Sequence, residues 1–158
     1  MIVRYLICLI LILLTGCGTD KKADNTSEYS ATSDCMGMNS EACEVFDLTN
    51  LERSRAGLPM LSISSECVAA SQSHAEDMDN NNFFSHDGLG ETYESRMQRF
   101  QVPGFNGENI ADAGPEASMA ISIWMNSQGH RENILNTGFT HAGMGYSNGM
   151  WVQCFTSP

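Results

Sequence analysis

Three residues in separate stretches of the sequence could form one chemical site. His86 lies in "FFSHDG", Glu108 in "NGENIA" and His130 in "SQGHREN". Two imidazoles and a carboxylate can act as an acid–base pair, or they can hold zinc and leave one coordination position open. In the zinc alternative, Glu108 is a third ligand or orients one histidine. The sequence predicts that His86, Glu108 and His130 converge.

The same polar stretches could also serve only the fold. His74 falls on the apolar face of a predicted helix and is predicted to be a packed core histidine. His130 and Glu132 are two residues apart, so they do not share a helical face and do not form the HExxH motif of zinc proteases. Three asparagines are predicted to make structural hydrogen bonds: Asn50, Asn109 and Asn133.

Four helices are predicted to position these residues. The first ends before Gly57 and the second begins after Ser64, a good N-cap. The third covers about 92–100, with Arg96 and Arg99 in its later turns, where cations suit the helix dipole. The fourth covers 115–127. Pro115 is placed at its start, where proline is tolerated. The buried side of the first helix is predicted at Val45, Phe46, Leu48 and Leu51.

The C-terminal part predicts a β-hairpin. Asn148-Gly149 lies between two short runs of alternating character, which is a strong hairpin signal. One face of the last strand would carry Trp151, Gln153 and Phe155, and the other Val152 and Cys154. Helices followed by a hairpin predict an α+β fold in which the helices pack on a small antiparallel sheet.

The first 16 residues are predicted to be a signal peptide that lies outside the fold. Arg4 supplies a positive charge, and residues 5–14 form an apolar run too short to span a bilayer. The following "LTGC" resembles the lipobox of bacterial lipoproteins. The resemblance implies cleavage before Cys17 and a lipid on its thiol, and two or more acyl chains would anchor the chain stably. An ordinary signal peptide with an incidental cysteine is the alternative.

The cysteine count predicts two disulfides in the exported chain. Residues 17–40 are polar and predict a flexible tether, followed by one domain over 41–158. With Cys8 removed and Cys17 lipidated, an even number of cysteines remains, which favours disulfides and leaves three pairings open. One bridge is expected to join the last strand to an early element, and free buried cysteines are the alternative. The four residues are Cys35, Cys43, Cys67 and Cys154.

The formal net charge is −11. Nucleic acids and anionic lipids both require a basic face on a protein that binds them. The charge therefore argues against either as a general partner.

Six stretches, in order, resemble the CAP superfamily (cysteine-rich secretory proteins, antigen 5 and pathogenesis-related proteins), and above all its bacterial secreted SCP-like branch. They are "LTNLERSRAGLPML", "ASQSHAEDMDNNNFFSHDG", "ESRMQRF", "GENIA", "IWMNSQGHRENIL" and "AGMGYSNGMWVQCF", which cover about residues 44–156. The resemblance implies an α-β-α sandwich with His86, Glu108 and His130 around a central cavity. A second family glutamate is expected three residues after Trp124. Ser127 occupies that position and can hydrogen-bond but cannot act as a base.

Members of this family bind sterols or other lipids, bind zinc or magnesium in the cavity, or act by binding other proteins. The resemblance therefore implies a lipid-anchored extracytoplasmic protein, at the outer membrane if the source has two. Its cavity would bind a small ligand, a lipid or a divalent metal such as zinc, or the protein would act through an envelope or cell-wall partner. The alternative is a metal-dependent hydrolase in which Glu108 is the base. Ser127 in place of the glutamate favours binding.

Overall fold

The computed structural model describes residues 35–158, apart from the side chains of Phe105 and Asn106. The predicted signal peptide, the lipidation site Cys17 and most of the predicted tether lie outside the described residues. None of the described helices is long and apolar enough to cross a membrane. The elements are α1 (Ser40–Arg55), β1 (Ser62–Ile63), α2 (Ser65–Asn81), α3 (Tyr93–Arg99), β2 (Phe105–Asp112), α4 (Ala117–Asn126), α5 (Gln128–Ile134), β3 (His141–Ser147) and β4 (Met150–Ser157).

The strands form one sheet in the order β1-β3-β4-β2. β3 pairs with β4, and β4 with β2, in antiparallel fashion, while β1 runs parallel to β3. The predicted hairpin is confirmed, and Asn148 and Gly149 both have positive φ, as its tight turn requires. The expectation of a purely antiparallel sheet is wrong for β1. Four helices separate β1 from β3, and so long a crossover allows parallel pairing.

Helices cover both faces of the sheet, so the predicted α-β-α sandwich is confirmed. Successive residues of β4 point to opposite faces. Trp151 and Phe155 join the core formed with α1, α4 and α5. Cys154 and Val152 lie on the other face, against α2 and α3.

Two glycines let α2 lie close against β3. A Cβ atom at Gly143 would lie 2.2 Å from Val68 N, and one at Gly145 would lie 2.3 Å from the carbonyl carbon of Ser71. The Ser71 hydroxyl donates a hydrogen bond to Gly143 O at 3.1 Å. This close packing fixes α2, which carries His74, relative to the sheet.

The outer edge of β2 is closed by side chains from α4 and α5. Trp124 Nε1 donates to Ile110 O at 3.0 Å, and Asn133 Nδ2 donates to Glu108 O at 3.2 Å. These two carbonyls are therefore bonded although none of the strands in residues 35–158 lies beside β2 on that side.

The buried side of α1 is more polar than predicted. Leu48 and Leu51 are only half-buried, whereas Arg53 is 1% exposed. Arg53 donates to backbone carbonyls of the loop after α1, of the end of α5 and of the loop after α5, at 2.8–3.4 Å: those of Pro59, Ile134, Asn136 and Phe139. The polar stretch "NLERSR" therefore serves the fold, because its arginine holds loops beside the sheet.

The predicted fourth helix corresponds to α4, and a fifth helix that was not predicted, α5, follows it directly. α4 begins at Ala117, two residues after Pro115, so the predicted start was wrong. At Ser127 the backbone is extended, with φ −101° and ψ 125°, and α5 begins at the next residue. Sequence patterns missed α5 because Ile134 is its one fully buried residue.

Both predicted disulfides are confirmed. Cys35 is bonded to Cys43, and Cys67 to Cys154, which joins α2 to the last strand as expected. Asn39 caps α1 by accepting a hydrogen bond from Ala42 N at 2.9 Å. The chain is thus fixed to α1 a few residues before the predicted domain start at 41.

Candidate functional site

His86 and Glu108 are in contact, as the sequence predicted. His86 lies in the loop between α2 and α3, and its Nδ1 is 2.9 Å from Glu108 Oε1 on β2. The side chain of His86 is 51% exposed, whereas that of Glu108 is 2% exposed. Glu108 therefore forms the buried floor beneath a half-exposed imidazole.

Arg96 completes this floor, a role that was not predicted from the sequence. Its side chain is 1% exposed and donates to Glu108 Oε2 at 2.7 Å and to His86 O at 3.0 Å. A signal was available. Tyr93, Met97 and Phe100 mark the apolar face of α3 at helical spacing, and Arg96 falls on that face. An arginine there is buried rather than a solvated cation near the helix end. Arg99 is largely exposed and pairs with Glu91.

His74 is buried, as predicted, and extends the same network. Its Nε2 is 2.8 Å from Ser85 O, and its Nδ1 is 3.1 Å from Arg96 Nη1. Burial, and then the positive charge of Arg96, lower the pKa of His74 below its usual value. The ring is therefore held neutral between the arginine and the loop that carries His86.

His130 lies beside the same cavity as His86 but is not bonded to Glu108. Its Nδ1 is buried and has no hydrogen-bond partner among the described residues. Burial, and then the charge of His86, lower the pKa of His130. The structure thus brings His86 together with Glu108 directly, and with His130 across a cavity.

Asparagines hold the backbone around these residues, as predicted. Asn109 Nδ2 donates to His130 O at 3.0 Å, and Asn133 Nδ2 donates to Asn109 Oδ1 at 2.8 Å. Asn50 makes two hydrogen bonds with the backbone of Leu61. The hydrogen bonds of Asn109 and Asn133 fix α5, and with it His130, relative to β2.

The cavity has a volume of about 530 Å³. A second depression of about 320 Å³ is also bordered by His86 and is bounded by Tyr93, Glu94 and Glu108. Ser127, half-buried between α4 and α5, is not among the residues that line either depression. The larger cavity is lined by Phe84, Ser85, His86, Asp87, Ile110, Ala111, Asp112, Ile123 and His130.

The arrangement of Glu108 bears on the zinc prediction. Within residues 35–158, no group of three or more histidine, cysteine, aspartate or glutamate side chains is placed to hold a metal ion. Both oxygens of Glu108 are engaged, one by the arginine and one by His86. Glu108 therefore fits the role of an orienter of His86 and does not fit that of a third ligand.

Comparison with known sequences gives consistent matches. The profile of the Cysteine-rich secretory protein family (CAP) matches residues 46–155. The uncharacterized protein YkwD of Bacillus subtilis is 37% identical over 145 residues, which are 87% of this chain and 56% of that protein. The uncharacterized membrane protein YlbC of the same organism is 34% identical over 116 residues, which are 71% of this chain and 33% of that protein. The chain thus spans about half, or less, of the length of these curated relatives.

Solved structures agree with the fold. An extracellular protein containing an SCP domain, from Bacillus anthracis, superimposes with a TM-score of 0.73 at 38% identity, over 77% of this chain and 41% of that chain. The outer surface protein of Borrelia burgdorferi gives a TM-score of 0.66 at 21% identity, over 73% and 90% of the two chains, and supports the fold alone. The chain, with its sandwich fold and the family profile over most of its length, belongs to the cysteine-rich secretory protein (CAP) family.

Proposed function

We propose that this chain is an extracytoplasmic binding protein whose cavity between His86 and His130 takes a small amphipathic ligand. The observation that carries the proposal is that His130, which lines this cavity, has a buried Nδ1 with no hydrogen-bond partner among the described residues. Buried polar atoms in proteins almost always have a partner, so this nitrogen is suited to bind a ligand or a water that a ligand replaces.

The size and lining of the cavity suit such a ligand. Its volume of about 530 Å³ falls in the range of small-molecule sites, which is roughly 300–1,000 Å³. Phe84 and Ile123, which are 53% and 39% exposed, supply apolar surface at the rim. The two histidines supply polar contacts. An apolar wall with few polar groups is typical of ligand sites.

The charges at the cavity restrict the polar part of the ligand. Asp87 and Asp112 line it, and none of the described lining residues is a lysine or an arginine. Carboxylates repel anions and attract cations. We therefore expect a ligand whose polar group is neutral or cationic.

A fragment screen by NMR tests this proposal. The mature chain with Cys17→Ser, which cannot carry the lipid, would be titrated with anionic, neutral and cationic fragments. We expect neutral and cationic fragments to shift the amide signals of residues 84–87 and 110–112. These shifts should be lost in the His86→Ala/His130→Ala variant and kept in His141→Ala, which changes a histidine outside the cavity. Binding confined to anionic fragments, or shifts elsewhere on the surface, would contradict the proposal.

A divalent metal is the second candidate ligand. The hydrogen bond from His86 Nδ1 to Glu108 resembles the carboxylate–histidine pairs that orient metal ligands. His86 Nε2 and His130 would supply two imidazoles, and solvent would complete the coordination. Calorimetry with zinc tests this candidate. One-site binding that is lost in His86→Ala/His130→Ala would establish a metal site, and heat that is unchanged in that variant would exclude these two ligands.

The geometry favours binding over hydrolysis. A hydrolase would need Glu108 as base, but Arg96 and His86 already engage its two oxygens. Ser127, where the family resemblance expects a second glutamate, cannot replace it.

Export and anchoring are part of the proposal. The B. anthracis relative is described as extracellular, which supports export of this chain. The "LTGC" at the end of the predicted signal peptide supports a lipid anchor on Cys17. Metabolic labelling with a fatty acid, followed by membrane fractionation, should place the chain in the membrane. Cys17→Ser should abolish the label and release the chain, and a label that persists in that variant would exclude Cys17 as the anchor.

A further inference from the structure

The hydrogen bonds beneath the cavity have a direction that the chemistry of arginine fixes. A guanidinium has donors and no acceptor. Arg96 Nη1 lies 3.1 Å from His74 Nδ1, so His74 Nδ1 accepts a hydrogen bond from the arginine. The ring proton of neutral His74 is then on Nε2, which lies 2.8 Å from Ser85 O and donates to it.

The same reasoning continues to His86. The Glu108 carboxylate accepts from Arg96 at Oε2, and its Oε1 lies 2.9 Å from His86 Nδ1. A carboxylate oxygen accepts only, so His86 Nδ1 carries a proton. When the His86 ring is neutral, its Nε2 is therefore unprotonated. That nitrogen faces away from Glu108, on a side chain that is 51% exposed and borders both depressions.

We propose that His74 and Arg96 are positioning residues, which hold His86 with an unprotonated Nε2 facing the cavity, and that the site therefore selects ligands offering an N–H or O–H donor. The selection of donors rests on the proposed binding function. The fixed ring orientation does not, because it is a property of the free protein.

The contacts of the network show what it positions. His74 bonds the carbonyl of Ser85, and Arg96 bonds the carbonyl of His86, so two consecutive peptide groups of the loop are held. Arg96 also holds Glu108, the partner of the His86 ring. One buried arginine thus fixes both the backbone and the ring of His86. The hydrogen bond with His74 Nδ1 holds the guanidinium of this arginine in place. Packing alone would not require a charged side chain that is 1% exposed.

Tautomers measured by NMR test the positioning role without any ligand. Long-range ¹⁵N–¹H spectra of the mature Cys17→Ser chain would be recorded at about pH 8, where imidazoles are neutral. We expect a proton on Nδ1 of His86 and on Nε2 of His74. In Arg96→Met, His86 should lose this single form and populate the Nε2-protonated ring. The matched control is Arg99→Met, which changes the exposed arginine of the same helix and should leave both rings unchanged.

A pair of His74 variants separates positioning from packing. In His74→Gln, the amide oxygen can accept from Arg96 and the amide nitrogen can donate to Ser85 O, so the His86 tautomer should be kept. In His74→Leu neither bond can form, and the His86 ring should populate both forms. Equal spectra for the two variants would overturn the role of His74. A proton on Nε2 of His86 in the unchanged protein would overturn the whole inference, even if Arg96→Met does not fold.

Paired fragments then test the selection of donors. Each alcohol or amine that binds in the fragment screen would be compared with its O-methylated or fully N-methylated analogue. We expect the capped analogue to bind roughly five- to tenfold more weakly, which is the value of one neutral hydrogen bond. Equal binding would overturn donor selection. If the tautomers are as expected and no fragment binds at the cavity, the proposed function fails while the positioning role stands.

Discussion

At the scale of single residues, the buried ring of His74 makes the stability of the domain depend on pH. Burial and the charge of Arg96 lower the pKa of His74 in the folded chain. In the unfolded chain this residue takes up a proton near its ordinary pKa of about 6.5. Between the two values the unfolded chain binds more protons, so the free energy of unfolding falls as pH falls. Above about 6.5 this contribution is complete.

We therefore expect the urea midpoint to fall between about pH 7.5 and pH 5.5, a window above the titration of most carboxylates. The fall should be smaller in His74→Gln, which cannot take up this proton. His130, whose pKa is also lowered, is present in both proteins and contributes equally. Parallel midpoints for the two proteins across this window would show that His74 does not carry the effect.

Arg96 should matter far more for stability than its neighbour Arg99. Arg96→Met leaves the Glu108 carboxylate buried without its cationic partner, and breaking a buried pair in this way costs about 3–5 kcal/mol. Arg99 pairs with Glu91 at the surface, where such a pair contributes about 1 kcal/mol or less. Urea unfolding of Arg96→Met and Arg99→Met measures the difference. Similar losses of unfolding free energy in the two variants would contradict the conclusion that Arg96 forms a buried ion pair and Arg99 an exposed one.

The sequence predicted His86, Glu108 and His130, but not the residues beneath them. These three residues were predicted because histidine and glutamate side chains can do acid–base or metal chemistry, and because all three lie in stretches that resemble the family. Arg96 was missed because its helical position was interpreted through the helix dipole, without counting the apolar residues of its own face. Within residues 35–158, Nδ1 of His130 is buried without a hydrogen-bond partner, and this could not be predicted because it depends on tertiary packing.

At the scale of elements, the contact between α2 and β3 leaves no room for a side chain. A Cβ at Gly143 would lie 2.2 Å from Val68 N and 2.5 Å from the carbonyl carbon of Cys67, both backbone atoms. Gly143→Ala should therefore cost at least about 3 kcal/mol, the upper end of ordinary overpacking. Gly129→Ala is the control, since nothing lies within 4 Å of its added Cβ. In helix α5 that change should stabilise by about 0.5–1 kcal/mol. Thermal unfolding distinguishes the two, and an unchanged melting temperature for Gly143→Ala would contradict the close contact.

Elements with a strong local signal were predicted well, and short ones were not. The hairpin was predicted because an Asn-Gly pair between two strands strongly favours a tight turn. The helices were predicted because their apolar residues recur at helical spacing. β1 has two residues, and α5 has one fully buried residue, so neither leaves a periodic pattern. Both elements exist because tertiary contacts hold them, and a local pattern does not encode such contacts.

At the scale of the whole molecule, the two disulfides should differ in what they contribute. Cys67–Cys154 closes a separation of 87 residues, whereas Cys35–Cys43 closes one of 8. Loop-closure entropy assigns roughly 4.6 kcal/mol to the long loop and roughly 2.5 kcal/mol to the short one. Denaturation of Cys67→Ser/Cys154→Ser and Cys35→Ser/Cys43→Ser should show the larger loss in the first. The reverse order would mean that the short loop stabilises the folded state in some other way.

The closed outer edge of β2 has a consequence for the proposed display of this domain on a membrane. Anchored chains meet copies of themselves often, and an open strand is a template on which a second copy can align and seed a fibrillar aggregate. In the described part of this sheet, one edge is the two-residue β1. At the other edge, Trp124 and Asn133 already occupy two outward carbonyls. Such a domain can be displayed at high surface density and still remain a population of separate molecules.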